Sequence, residues 1–173
     1  MPPGIKTTRP FVVIAVAGLV VLGVRLAWPT FGVPLLINTT RSAPYGLYRL
    51  QLHRFYSRGT LVVFPVPAAF ESLVTERGWL GKGVPLLKAI GAVSGDRVCV
   101  FDDVVTVNGM TIGPVFRQDS NGRPLPSIRG CEVVAEGHFW PLSGYTPNSF
   151  DGRYMGAQPL SAILGEAIPV WTF

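Results

Sequence analysis

The sequence predicts a mainly β, mostly antiparallel domain with one short helix, placed behind a single N-terminal transmembrane helix. Residues 11–24 are fourteen successive residues without a charge, as expected of a membrane span. The rest of the chain consists of short apolar runs separated by turn residues, and the 173 residues include 20 Gly and 16 Pro. Only residues 68–80 carry apolar side chains at helical spacing. These observations favour short strands over long helices.

The N-terminal segment is long enough to span a bilayer. A helix over residues 10–28 has nineteen residues and a length of ~28 Å at about 1.5 Å per residue, close to the ~30 Å hydrocarbon core. Pro10 suits the first helical position, because its missing N–H would have no partner there. Arg25 can extend to the headgroups, and Trp28 suits the interface. The segment is therefore predicted to be a membrane anchor.

Basic residues before this segment predict its orientation. Lys6 and Arg9 favour a cytoplasmic N-terminus in a bacterial inner membrane, with the rest of the chain in the periplasm. The chain then divides into a cytoplasmic N-terminus (1–9), the anchor (10–28) and an extracytoplasmic domain (29–173). A cleaved signal peptide is the alternative, although Arg25 would then occupy a position that requires a small residue. A buried core helix is the third possibility.

Composition excludes several classes of function. The chain is 48% hydrophobic and only 14% charged, with a mean hydropathy of +0.36, which indicates membrane association. Its net charge is +5, but the 15 Lys and Arg are scattered, so no nucleic-acid partner is predicted. His53 and His138 stand apart from other possible ligands, which argues against a metal site. No motif requires an organic cofactor.

The first half of the extracytoplasmic part alternates strands with the predicted helix. Residues 46–50 alternate weakly, and residues 60–64 form an apolar run typical of a buried strand. The amphipathic segment 68–80 is the predicted helix. Residues 86–93 form the next strand.

Turn signals organise the second half. Four more strands are predicted from apolar runs, at residues 97–101, 104–107, 131–135 and 138–142. The first two flank Asp102-Asp103, and Asn108-Gly109 is a strong hairpin signal. The last two strands are expected to pair with each other. Residues 163–168 fit a strand or a short helix.

The chain has two cysteines, Cys99 and Cys131. In an exported compartment a disulfide between them is expected, and it would close a loop of about thirty residues. The alternative is two buried thiols that do not meet.

A serine and a lysine stand in unusual settings. Ser42 lies in a polar segment just beyond the predicted anchor, and Lys88 interrupts the apolar run 84–93. A lysine among aliphatic side chains costs energy to charge, so its pKa falls toward values useful for a base. Such an amine can deprotonate a serine hydroxyl for acyl transfer without histidine. The alternatives are a serine in a polar turn and a lysine that extends from a strand edge, as Lys82 is expected to do.

Three blocks of sequence form a recognisable pattern in this order. They are Asn38-x-Thr40-x-Ser42-x-Pro44-x-Gly46-Leu47-Tyr48, Leu87-Lys88 followed by Gly95-Asp96-Arg97-Val98, and Asn148-Ser149-x-Asp151-x-Arg153-Tyr154-x-Gly156. The chain resembles the type I signal peptidase superfamily of Ser/Lys proteases, and within it the conjugal-transfer, TraF-type branch. The resemblance covers residues 11–173. It departs from ordinary leader peptidases at Ala43, where those enzymes usually carry methionine, and in lacking a large inserted second domain.

The resemblance implies a signal-peptidase-like β domain and a role for each motif residue. The implied roles are nucleophile for Ser42, general base for Lys88, oxyanion donors for Thr40 and the Ser42 N–H, and support of the dyad for Ser149, Asp151 and Arg153. Ser149 would orient the lysine amine. Asp151 and Arg153 would form an ion pair, since residues two apart on a strand point the same way. Asp96 is expected to be a turn residue.

The predicted function is that of a membrane-anchored serine endopeptidase. The resemblance implies that it cleaves or cyclises a pilin-like precursor in conjugative transfer. The expected partners are the precursor, membrane lipid around the N-terminal helix, and conjugation or type IV secretion components. The enzymatic alternative is general removal of secretory signal peptides. The non-enzymatic alternative is an anchored structural subunit of a secretion or conjugation apparatus.

Overall fold

The computed structural model describes residues 34–173, which form a unit of their own. The predicted cytoplasmic segment 1–9 and the predicted anchor 10–28 lie outside the described residues. Within residues 34–173, no helix is both long and apolar enough to cross a membrane. The architecture below is therefore that of the domain predicted to follow the anchor.

Short strands are the main regular structure of this unit. The strands are β1 (Leu35–Asn38), β2 (Gly46–Gln51), β3 (Leu61–Phe64), β4 (Leu86–Val93), β5 (Arg97–Phe101), β6 (Val104–Val107), β7 (Met110–Pro114), β8 (Gly130–Val133), β9 (His138–Leu142), β10 (Gln158–Pro159) and β11 (Gly165–Thr172). The helical elements are α1 (Ala68–Glu76), the short α2 (Gly152–Met155) and a 3₁₀ turn, Leu160–Ala162. The prediction of a mainly β domain is confirmed.

The strands form two sheets, and within each sheet all neighbouring strands pair in antiparallel orientation. The large sheet has the order β1-β2-β11-β3-β4-β9-β10, and the small sheet has the order β7-β6-β5-β8. The strand β4, which carries Lys88, lies inside the large sheet between β3 and β9. The strand β1, which leads to Ser42, lies at its edge.

The two faces of β4 pack against different apolar clusters, because successive side chains of a strand point to opposite faces. Leu86 and Ile90, two residues to each side of Lys88, belong to one cluster. Leu87 belongs to another, together with Ala43 and Tyr48. Since Ala43 follows Ser42 and Leu87 precedes Lys88, this second cluster brings the two segments together.

The predicted pairing of residues 131–135 with residues 138–142 is wrong. The strand β8 pairs with β5 in the small sheet, whereas β9 pairs with β4 in the large one. After β8 the backbone N–H of Val134 donates to the Asp96 carbonyl oxygen at 2.8 Å, and its carbonyl oxygen accepts from the Gly95 N–H at 2.9 Å. Val134 is thus bound to the turn between β4 and β5. Each strand therefore has a partner from earlier in the chain, which a local turn signal does not reveal.

Other element bounds also differ from the predictions. The helix α1 stops at Glu76 rather than at residue 80, because Gly78 takes a φ of 70° that ends a right-handed helix. The segment at residues 163–168 is a strand, and β11 extends it to Thr172. The edge strand β1 was not predicted.

The predicted disulfide between Cys99 and Cys131 is present. The two residues lie directly opposite each other on β5 and β8, and the S–S distance is 2.08 Å. The bridge therefore ties the edge strand β8 to the small sheet.

Candidate active site

A single buried side chain organises the segment around Ser42, which we call the Ser42 loop (residues 38–45). The amide nitrogen of Asn38, at the end of β1, lies 3.0, 3.0 and 2.9 Å from the carbonyl oxygens of Thr40, Ala43 and Pro44, so its two hydrogens are shared among three acceptors. Its amide oxygen accepts from the backbone N–H of Thr40 at 3.1 Å and from the Thr40 hydroxyl at 2.8 Å. Because one amide satisfies five backbone or hydroxyl groups, the loop has a defined shape without help from a regular element.

The Ser42 side chain lies against Thr40 and remains partly exposed. The two hydroxyl oxygens are 3.1 Å apart. Since Thr40 donates its one hydroxyl hydrogen to Asn38, the Ser42 hydroxyl is the donor between them in this arrangement. Thr40 can therefore donate to an oxyanion only after its hydroxyl turns away from Asn38.

Lys88 is buried in the middle of β4, with 4% of its surface exposed. Its amine donates to the Ser149 hydroxyl at 2.8 Å. Loss of solvation lowers the pKa of Lys88 from 10.5 to about 8, a fall that Asp151 opposes and Arg153 assists. The apolar setting seen in the sequence thus has its expected effect on the amine.

Asp151 and Arg153 form a buried ion pair at the start of α2. The Arg153 guanidinium donates to both carboxylate oxygens, at 2.9 and 2.8 Å, and its backbone N–H donates to the first at 3.1 Å. Asp151 is fully buried and caps the helix. The prediction that the two residues lie on a strand is wrong: they meet because a capping aspartate faces the residue two positions later. We call Lys88, Ser149, Asp151 and Arg153 the Lys88 cluster.

Arg153 also fixes the chain around the Lys88 cluster. Its guanidinium donates to the carbonyl oxygens of Pro147 at 2.8 Å and Pro114 at 3.0 Å, and more weakly to those of Thr146 and Ser149 at 3.4 Å. The contact with Pro114 reaches the end of β7 in the small sheet. One side chain thus holds the segment that carries Ser149 and attaches it to the small sheet.

Ser143 connects the Ser42 loop to the Lys88 cluster, and no sequence motif pointed to it. Its hydroxyl donates to the carbonyl oxygen of Ser42 at 2.9 Å, and its backbone N–H donates to Asp151 at 2.9 Å. Because Leu142 pairs with Ala89, the next residue, Ser143, comes beside Lys88. Only its position directly after a predicted strand could have suggested its place.

The structure therefore assembles the predicted residues into two groups that meet. Thr40 lies with Ser42, and Lys88 lies with Ser149. Within residues 34–173 there is no hydrogen bond between the Ser42 hydroxyl and the Lys88 amine; the groups are joined through Ser143 and the shared apolar cluster.

The remaining titratable candidates lie elsewhere. His53 pairs with Glu166 at 3.0 Å, and a ring nitrogen of His138 lies 3.0 Å from the carbonyl oxygen of Glu136. Asp96 accepts hydrogen bonds from Arg58 and from the backbone N–H of Val93, as a turn residue would. Although burial acts in the opposite direction, these bonds lower the pKa of Asp96. In the part of the chain that the structure describes, no three His, Cys, Asp or Glu side chains could together hold a metal ion.

Comparison with known proteins identifies the class to which this chain belongs. The family profile described as "Signal peptidase, peptidase S26" matches residues 7–172. The chain belongs to this family. The predicted resemblance to signal peptidases is thereby confirmed.

The chain is also similar to proteins named for conjugal or plasmid transfer. The chain is 36% identical over 170 residues to "Conjugal transfer protein TraF" of Agrobacterium fabrum strain C58, covering 92% of this chain and 94% of that protein. It is 32% identical over 171 residues to "Plasmid transfer protein TraF" of Escherichia coli, covering 91% and 95%. The crystal structure of a signal peptidase I from Enterococcus faecalis V583 is 20% identical, with a TM-score of 0.39, and covers 65% of this chain and 97% of that one. The predicted likeness to the conjugal-transfer branch is confirmed.

Proposed function

We propose that this protein is a membrane-anchored serine endopeptidase that processes a pilin-like precursor in conjugative transfer. Ser42 is the nucleophile and Lys88 is the general base. The observation that carries the proposal is the buried Lys88 amine, whose pKa is lowered to about 8 in a cluster bonded to the Ser42 segment. The names of its TraF relatives support the conjugative role.

The pKa of Lys88 supports its role as a base in quantitative terms. At pH 7 an amine with a pKa of about 8 is neutral in roughly a tenth of the molecules. An unshifted lysine would be neutral in only about three molecules in ten thousand. Burial therefore supplies roughly 300-fold more of the reactive form. The Ser149 hydroxyl, 2.8 Å away, fixes the direction of the amine.

The chemistry follows the usual course of acyl transfer. The Ser42 oxygen attacks the scissile carbonyl while Lys88 takes the hydroxyl proton, and the oxyanion receives hydrogen bonds from the Ser42 N–H and from Thr40. The C–N bond then breaks, the leaving amine takes the proton from Lys88, and an acyl-enzyme remains. Lys88 next takes a proton from water or from the substrate's own N-terminal amine as that group attacks the ester. Lys88 then returns the proton to the Ser42 oxygen as the ester C–O bond breaks. Water gives a cleaved product, and the amine gives a cyclic one.

The cellular setting is part of the proposal. Residues 10–28 would hold the protein in the inner membrane and place the domain in the periplasm, where a disulfide such as Cys99–Cys131 persists. Ser42 lies only fourteen residues after residue 28, the end of the predicted anchor. A membrane-anchored precursor would therefore present its cleavage site near the Ser42 loop. Conjugation or type IV secretion components are the expected partners.

The test is incubation of the purified full-length protein with a candidate pilin-like precursor, followed by mass spectrometry of the products. Wild-type protein should cut the precursor into two fragments. If the fragment on the amino side of the cut is cyclised, it is lighter by one water than the linear product of the same cut. Ser42→Ala and Lys88→Ala should each be inactive, whereas Lys82→Ala, at an exposed lysine, should retain full activity. Substantial activity in Lys88→Ala would remove lysine as the base. Cleavage of general secretory precursors but not of the pilin would instead indicate a housekeeping signal peptidase.

A further inference from the structure

We propose that Ser143 is a positioning residue that sets the Ser42 nucleophile relative to Lys88. This inference rests on the proposed function, because it assigns a role within that reaction. Ser143 belongs to none of the three sequence blocks that resemble the family. It is 93% buried and stands at the junction between the two halves of the site.

The geometry that supports this role is a pair of hydrogen bonds that Ser143 donates, one to each half of the site. The hydroxyl donates to the Ser42 carbonyl oxygen at 2.9 Å, and the backbone N–H donates to Asp151 at 2.9 Å. Among the hydrogen bonds of residues 34–173, the hydroxyl bond is the one that joins the Ser42 loop to the segment 143–153.

The two ends of this connection differ in rigidity. Asp151 is immobilised by three hydrogen bonds from Arg153, so Ser143 is attached to a fixed point. The Ser42 loop is ordered internally by Asn38, but those bonds do not reach Lys88. The Ser143 hydroxyl therefore supplies a directional restraint between the loop and the base, in addition to the non-directional packing of Ala43 against Leu87.

The restrained group is the one that matters for the reaction. The Ser42 carbonyl belongs to the peptide that follows the nucleophile, so holding it limits rotation of the Ser42 backbone. That backbone carries both the attacking hydroxyl and the N–H proposed for the oxyanion. Rates of acyl transfer depend steeply on such placement, and a misplacement of about 1 Å can cost roughly 100-fold.

Ser143→Ala tests this role, since it removes the hydroxyl and keeps the backbone N–H that bonds to Asp151. We expect kcat to fall roughly 10- to 100-fold with little change in KM, because the lost hydroxyl bonds to the Ser42 backbone and is proposed to act on placement of the nucleophile. The midpoint of the pH–rate profile should not move, because the bond between Lys88 and Ser149 is intact. Ser143→Thr should restore most of the rate, and Ser57→Ala, at an exposed serine hydroxyl, should behave as wild type.

A second measurement keeps the inference testable if Ser143→Thr fits poorly. The rate at which an acylating serine-directed probe labels Ser42 is followed by mass spectrometry, with thermal unfolding as the measure of folding. Slower labelling of folded Ser143→Ala supports the inference. Wild-type kinetics in Ser143→Ala, or a loss explained entirely by unfolded protein, would overturn it while leaving the proposed function standing. Full activity in Ser42→Ala would overturn both.

Discussion

The Ser42 loop and the Lys88 cluster hold their key residues by different means. In the loop, the five bonds made by Asn38 reach residues at most six positions away. In the cluster, the bond between Lys88 and Ser149 joins residues 61 positions apart, and Lys88 itself depends on the core of the large sheet for its burial. The proposed nucleophile thus has a local scaffold, whereas the burial of the proposed base depends on the folded domain.

The difference matches what each group needs. A nucleophile must be reached by the substrate, and Ser42, the proposed nucleophile, is partly exposed. A lysine base must be kept from water, because solvation would return its pKa toward 10.5. A short polar loop can satisfy the first requirement, but only a packed interior can satisfy the second.

The largest expected effect comes from Lys88→Met, which separates activity from stability. Activity should vanish, because thioether sulfur is not a base. Stability at pH 7 should rise by about 2 kcal/mol: removing the charge that burial disfavours gains about 3 kcal/mol, and losing the bond to Ser149 costs about 1 kcal/mol.

The sign of the pH dependence follows from the lowered pKa. Between pH 8 and 10.5 the unfolded lysine binds more protons than the folded one, so wild-type stability gains from this group as pH rises. The advantage of Lys88→Met should therefore shrink over that range in urea titrations. Ser42→Ala is the control, since a partly exposed hydroxyl should change stability by less than about 1 kcal/mol. An advantage that stays constant with pH would contradict the charge penalty.

Asn38→Ala should disturb the Ser42 loop and spare the Lys88 cluster. It removes the Asn38 donor from the carbonyls of Thr40 and Ala43, whereas the Pro44 carbonyl keeps its bond from the Tyr48 hydroxyl. We expect a cost of about 2–4 kcal/mol in unfolding free energy and a fall in kcat. The midpoint of the pH–rate profile should stay in place, because the surroundings of Lys88 do not change. Asn121→Ala, at an exposed asparagine, is the matched control. A moved midpoint would show that the two halves are not independent.

Gly152→Ala should disturb the Lys88 cluster by steric conflict. A Cβ at this position would lie 2.4 Å from the Trp140 ring and 2.5 Å from the Pro141 carbonyl oxygen, in a place where Trp140 is buried. Such overpacking costs about 1–3 kcal/mol, and it would displace Asp151 and Arg153 on either side. Gly113→Ala, with no heavy atom within 4 Å of the new Cβ, should have little effect in the same unfolding and activity assays.

Much of the fold could be predicted from the sequence because its signals are local. The strands at residues 97–101 and 104–107 were found with their bounds, since apolar runs and turn residues define them. The partner of β8 could not be predicted, because pairing depends on contacts with earlier strands. Likewise, Ser42 and Lys88 were identified as candidates from their settings and from the resemblance, but Ser143 acts through a bond that spans 101 positions.

The smallest expected effect is a shift in the pH dependence of the rate, and it tests the Lys88 cluster most directly. Wild-type kcat/KM should rise with pH through a midpoint near 8, because only neutral Lys88 can accept the Ser42 proton. In Ser149→Ala, the protonated amine loses the hydroxyl that accepts its hydrogen bond, so its pKa falls and the midpoint moves by less than about one unit to lower pH. The maximal rate should also fall, because the amine is no longer oriented. A midpoint near ~6.5 that disappears in His53→Ala or His138→Ala would instead identify a histidine base.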